Sequence, residues 1–151
     1  MDKQEIASIS DLKQVGIIVK DIEKAAEYYA AVLGTGQFQV VERDVRGILR
    51  SYSTEEASLG RVKIGRAQVG QVEFELIEPV EATPAFKEFL LARLEGVHHL
   101  AYHVDDIARV LKTLESRGFE AVLRVTTDKH IAVFVGGPGT DGALIELVQN
   151  M

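Results

Sequence analysis

Four side chains able to hold a metal ion or move a proton stand on short stretches with strand-like alternation: Gln14 in QVGIIVK, Glu75 in VEFEL, His99 in VHHLAYHV and Glu146 in LIEL. Alternation puts Val15, Ile17 and Val19, Phe74 and Leu76, Leu100, Tyr102 and Val104, and Ile145 and Leu147 on one face of these strands. Gln14, Glu75, His99 and Glu146 then share the other face. A carboxylate on a sheltered sheet face is costly to keep ionised, whereas a divalent cation neutralises two of them and accepts amide oxygen and imidazole nitrogen as neutral ligands. Three oxygen donors and one nitrogen suit a six-coordinate Ni, Co, Mn or Mg ion, or a Zn ion of raised coordination number. With four protein ligands, an octahedral ion keeps about two positions for water or for two substrate oxygens. Alternation alone equally allows Glu75 and Glu146 to be solvated residues on the polar side of a two-faced sheet. It also points His98 outward and makes His103, two residues beyond His99, a pocket-wall residue.

The elements that must position these residues repeat. Asp21 is placed to cap a helix carrying Ile22, Ala25, Ala26, Tyr29 and Leu33, with Gly34 as its stop. Strands follow at 37–44, near 61–69 and at 71–79, and 46–60 is ambiguous. Sliding the chain by 85 residues places Gln14 on His99, Asp21 on Asp106, and Ile22, Ala25, Ala26 and Tyr29 on Ile107, Val110, Leu111 and Leu114. That correspondence favours a ligand role for His99 over a purely structural one. After Gly118, FEAVLRV, HIAVFV and ALIELV read as three more strands. The pattern predicts an α+β fold in one domain (1–151). Its parts are a βαβββ module over 14–79, a helical connector over 80–96 containing AFKEFLLARLEG, and a second βαβββ module over 97–149. Paired modules would form curved mixed sheets around a groove, the pairing being within one chain or between two.

Bulk properties bound the function. The 151 residues are 46% hydrophobic, enough for a real core, and a formal charge of −6 argues against a nucleic-acid partner. The absence of cysteine excludes disulfides, thiolate ligands and cysteine nucleophiles. MDKQEIASISDLKQ lacks the apolar core of a signal peptide, and no apolar run nears the roughly 18 residues of a membrane span, so a cytoplasmic protein without a membrane partner is expected. Two basic groups, Arg43, Arg46 and Arg50 or Arg61, Lys63 and Arg66, could meet phosphates and equally describe a solvated charged face. The GGPG run from Gly136 to Gly139 lacks a Walker-type lysine and reads as a turn.

The repeat and the four positions resemble the vicinal oxygen chelate (glyoxalase/bleomycin resistance/dioxygenase) superfamily over nearly the whole chain. GTGQFQVVERD, VEFELIEPVEATPAFKEFL, EGVHHLAYHVDDI and GALIELV are similar to its methylmalonyl-CoA epimerase branch, with its glyoxalase-like relatives of unassigned substrate. The resemblance implies proton abstraction beside a carbonyl or thioester, with a metal-stabilised enolate and Glu146 as the mobile acid or base. Glu75 would be a ligand or a second base. That branch usually has His where Gln14 stands, and Gln there is similar to the metal-binding Gln of some lactoylglutathione lyases. The epimerases' earlier catalytic Glu would fall near Ser58, with Glu55 and Glu56 close but off register. The implied partner is a small-molecule substrate, a CoA thioester or a glutathione hemithioacetal, and a homodimer is common in the superfamily. Two further readings are a ring-cleaving dioxygenase, whose usual two-His, one-Glu set is not matched, and a metal-free antibiotic-binding module, which has no need of four ligand-type residues.

Overall fold

The computed structural model describes residues 9–46, 49–51, 59–82, 96–136 and 143–151. In chain order the elements are β1 (Gln14–Ile18), α1 (Ile22–Leu33), β2 (Gln39–Asp44), β3 (Leu49–Ser51), β4 (Leu59–Val69) and β5 (Val72–Ala82). After these come β6 (Gly96–His103), α2 (Ile107–Glu115), β7 (Glu120–Thr126), β8 (His130–Gly136) and β9 (Leu144–Asn150). The two helices among the described residues start as their sequences require. The Asp21 carboxylate accepts the Lys24 N–H at 3.1 Å, and the Asp106 carboxylate accepts the Arg109 N–H at 3.0 Å, each satisfying a donor that the first helical turn leaves open. Gly34 ends α1 with a φ of 65°, a left-handed backbone that glycine adopts without a side-chain clash.

One nine-stranded sheet runs in the order β2-β4-β5-β1-β6-β9-β8-β7-β3. Inside the modules β1 lies parallel to β5 and β6 parallel to β9, and the antiparallel pair β1–β6 joins the two modules within a single chain. The ambiguous stretch before Gly60 contains β3, which crosses to the far edge and pairs with β7. Strands β2 and β3 therefore sit at opposite edges although Asp44 and Leu49 are five chain steps apart, at most about 18 Å when fully extended. A flat nine-stranded sheet is far wider, so this one curls until its edges approach, enclosing a space on its concave side.

The outer face carries most of the expected apolar residues, Leu100 and Tyr102 belonging to neither of its clusters. Ile17, Val19 and Leu76 pack with Ile22 and Phe38, joined by Ala25, Ala26, Tyr29 and Phe74. Val104, Val133, Val135 and Leu147 pack with Ile107 and Val110 of α2. Ile145 departs from this pattern and stays half-exposed. The concave side has its own apolar floor, made by Ile18, Leu123, Phe134 and Leu144.

Two boundaries differ from the sequence reading. Strand β5 continues through Pro79 to Ala82, and β6 begins at Gly96, so both ends of the expected connector are strand. Pro79 is tolerated there because it lies opposite Val62 at a register shift, where its missing N–H costs the ladder little. The stretch expected to form the connector helix, Glu55, Glu56, Ser58 and Gly137 to Gly139 lie outside the described residues, as does the side chain of Arg50. Among the described residues, no helix is long and apolar enough to cross a membrane.

Removing either capping carboxylate should cost about 1 kcal/mol. Asp21→Ala and Asp106→Ala are each expected to lower the urea midpoint by that equivalent with an unchanged m-value.

Candidate metal centre and cavity

Two adjacent rows of cross-strand partners build the site. One runs Glu73, Gln14, Ala101, Glu146 and Phe134 across β5, β1, β6, β9 and β8. The next runs Arg66, Glu75, Gly16, His99 and Leu144 across β4, β5, β1, β6 and β9. Residues directly opposite one another project from the same side of a sheet, so both rows face the concave interior. Each row has a small residue at its centre. Ala101 separates Gln14 from Glu146, and Gly16 lies under the His99 ring, where a Cβ would fall 2.0 Å from His99 Cε1.

All four expected residues come together. His99 Nε2 is 3.0 Å from Gln14 Oε1, 3.2 Å from Glu146 Oε2 and 3.7 Å from Glu75 Oε1. The His99 side chain is 2% exposed, and those of Glu75 and Glu146 are 9% and 12% exposed, so bulk water barely solvates these charges. Every one of the four atoms carries a lone pair. Only one proton, on His99 Nε2, could lie among them without protonating a carboxylate, so the cluster has a surplus of acceptors.

The two carboxylates are held differently. Arg66 donates to Glu75 Oε2 from Nε at 3.0 Å and from Nη2 at 2.7 Å, fixing that group. Glu146 makes its polar contact with His99 alone among the described residues. Burial raises the Glu75 carboxyl above the usual range despite Arg66, and burial together with the Glu75 charge pushes Glu146 up to about 8. Burial, with a smaller effect from His98, holds His99 down at about 3.

His98 corrects the sequence reading. It is buried rather than outward-facing, with its Nδ1 3.0 Å from His99 Nδ1 and its ring 5.9 Å from that of Phe134. The reason is a bulge: Gly16 pairs with His99 and Ile17 with Val97, leaving His98 as an extra residue that brings both imidazoles to the concave side. Strict alternation could not reveal it. Glu73 was also missed, as was the pairing of Arg66, expected only as a phosphate-binding or solvated cation, with Glu75. Glu73 lies two residues before Glu75 and so was readable on the same face, whereas Arg66 needed the β4–β5 register.

The cluster lies in the wall of a cavity of about 850 Å³, within the range of small-molecule sites. His103 lines it as expected, and Ile18, Leu123 and Phe134 supply apolar surface. Lys13, Arg43 and Lys129 add positive charge. Of the expected basic groups, Arg43 and Arg66 reach the cavity. Arg46 pairs with Asp44, Arg61 with Glu81, and Lys63 with Glu23 and Glu78. Among the described residues, no group of three or more His, Cys, Asp or Glu side chains is arranged as a ready-made metal site.

Two βαβββ modules paired through their first strands, with polar residues gathered on the concave face, define the architecture of the vicinal oxygen chelate proteins. Residues 13–134 match the Glyoxalase/Bleomycin resistance protein/Dioxygenase superfamily, and the chain belongs to that family. It is 29% identical over 142 residues to the uncharacterised protein YqjC of Bacillus subtilis (strain 168), covering 91% of each chain. Identity to the mitochondrial methylmalonyl-CoA epimerase of Homo sapiens is 25% over 146 residues, covering 94% of this chain and 75% of that protein. The crystal structure of methylmalonyl-CoA epimerase from Mycobacterium tuberculosis aligns with a TM-score of 0.68 at 23% identity, covering 100% of this chain and 93% of the other. The fold is therefore that of the epimerases.

Gly16→Ala should push the His99 ring out of place and cost about 1–3 kcal/mol, the range for an overfilled core, read as a lower denaturation midpoint. The metal-free protein should show a two-sided pH profile. Between about 3 and 6.5 the unfolded chain binds a His99 proton that the folded one lacks, so stability rises with pH. Between 4.5 and about 8 the folded chain keeps a Glu146 proton that the unfolded one has lost, so stability falls, and Glu75 acts in the same sense. These trends oppose each other where they overlap and leave a net decline from pH 6.5 to 8. Urea titrations across that window should show the decline in the wild type and a smaller one in Glu146→Gln; equal slopes would contradict the Glu146 assignment.

Proposed function

We propose that this protein is a metal-dependent enzyme that moves a proton at a carbon beside a carbonyl or thioester, acting on an acyl-CoA of the methylmalonyl type. The observation that carries this reading is the surplus of acceptors around His99 Nε2. The residues fit a divalent ion: donors about 2.1 Å from an octahedral centre lie about 3 Å apart along each edge, close to the spacing from His99 to Gln14 and Glu146. Gln14 Oε1, Glu75 Oε1, His99 Nε2 and one Glu146 oxygen would hold it. When bound, the ion would supply the electrophile that offsets negative charge developing on a substrate oxygen.

The chain's own residues divide the remaining work. Arg66 braces Glu75, which suits Glu75 to a fixed ligand role. Glu146, whose polar contact among the described residues is with His99, has no such brace and is free to swing and take the proton. Ile18, Leu123 and Phe134 keep water from the reacting carbon. Lys13, Arg43 and Lys129 at the cavity suit an anionic substrate, in keeping with the substrate named for the epimerase relatives. Gln14 favours a second reading, a lactoylglutathione lyase acting on a glutathione hemithioacetal, since Gln at this position is similar to that of some such lyases.

Protein purified without chelator should carry about one divalent ion per chain, and His99→Ala should lose it. In deuterated water, methylmalonyl-CoA should take up deuterium at its α-carbon. Glu146→Gln should slow that exchange by about 10²–10⁴-fold, the usual share of a general base. Turnover of the methylglyoxal–glutathione hemithioacetal instead would select the lyase, and absence of metal uptake would overturn both readings.

A further inference from the structure

The Gln14 amide can face the site with either its oxygen or its nitrogen, and only the oxygen can bind a cation. Side chains outside the four-residue cluster decide between the two. Gln14 Nε2 donates to Glu73 Oε1 at 2.8 Å and reaches Glu75 Oε2 at 3.4 Å, so both acceptors draw the NH₂ group away from His99. Gln14 Oε1 is left 3.0 Å from His99 Nε2. Turned over, the amide would aim N–H at His99 Nε2 and close the position to a cation. Glu73 is itself steadied by Arg66, whose Nε lies 3.5 Å from Glu73 Oε1 while the same guanidinium holds Glu75.

We infer that Glu73 is a positioning residue: by accepting the Gln14 amide N–H it turns the Gln14 oxygen toward His99 and makes Gln14 an oxygen donor to a divalent cation. The inference rests on the metal reading above. Glu73 acts on the ion through Gln14 and is not itself one of the four ligands. Its effect is on affinity, of the order of 10-fold, typical for a group that orients a metal ligand.

Calorimetric titration of chelator-stripped protein with Co²⁺ tests this, using wild type, Glu73→Ala, Glu73→Gln, Gln14→Glu and the double variant Gln14→Glu/Glu73→Ala. Glu73→Ala should weaken Co²⁺ by about 10-fold or more. Glu73→Gln loses the charge but keeps a carbonyl acceptor, so it should bind nearly as the wild type does. With Glu at 14 both carboxylate oxygens are equivalent and need no orienting, so Glu73→Ala should then weaken binding by clearly less than it does beside Gln14, leaving only the lost charge. Equal weakening by Glu73→Ala and Glu73→Gln would reduce Glu73 to a charge effect and overturn the inference, as would the same fold-loss from Glu73→Ala in both backgrounds. Should Glu73→Ala fail to fold by circular dichroism, Glu73→Val, with its stronger strand preference, takes its place. No Co²⁺ uptake by wild type would overturn the metal reading itself, whereas wild-type uptake left unchanged by Glu73→Ala would overturn only this inference.

Discussion

The antiparallel ladder between β1 and β6, with its bulge at His98, joins the two modules, and the organisation of the site follows from that junction. It brings Gln14 level with Ala101 and Gly16 level with His99, and through the parallel neighbours β5 and β9 it adds Glu75 from one side and Glu146 from the other. A register slip of one residue would turn each strand's polar set to the helix-packed face and its apolar set inward. The apolar residues under α1 and α2 resist such a slip. Packing on the outside thus stabilises chemistry on the inside.

The junction concentrates acceptors that the protein alone does not satisfy. Two buried carboxylates, an amide oxygen and an imidazole nitrogen share a few ångströms, and the nearby Arg66 cation is committed to Glu75 and Glu73. Burial together with the Glu75 charge makes Glu146 titrate high, so without a second cation it keeps a proton, while burial keeps the His99 ring neutral. The asymmetry between a braced Glu75 and an unbraced Glu146 gives two identical side-chain types different capacities: one is suited to stay, the other to move.

Much of this was legible beforehand because a duplicated module leaves its pattern twice. Asp21 and Asp106 cap equivalent helices, Gln14 and His99 stand on equivalent strands, and the apolar spacing after each cap agrees, so fold class, most strand faces and the four polar residues could be read together. Alternation failed at His98 because a bulge adds a residue to one strand only, and the partner strand, 80 residues away, determines whether one forms. Pro79 misled in a related way: it suggests a strand end locally, while a register shift on β4 lets β5 continue through it.

The amino-acid sequence by itself determined which side chains share a side of each strand away from the His98 bulge, where the two capped helices begin, and that a duplicated α+β unit without cysteine would have to meet any metal through oxygen and imidazole. Those features depend on neighbours within a few residues and on backbone geometry. Only the tertiary structure decided that the modules pair within one chain, that β3 crosses to the far edge and curls the sheet, and that Arg66 and Glu73 brace Glu75 and Gln14. These depend on cross-strand register and sheet curvature, which arise from packing between segments distant in sequence.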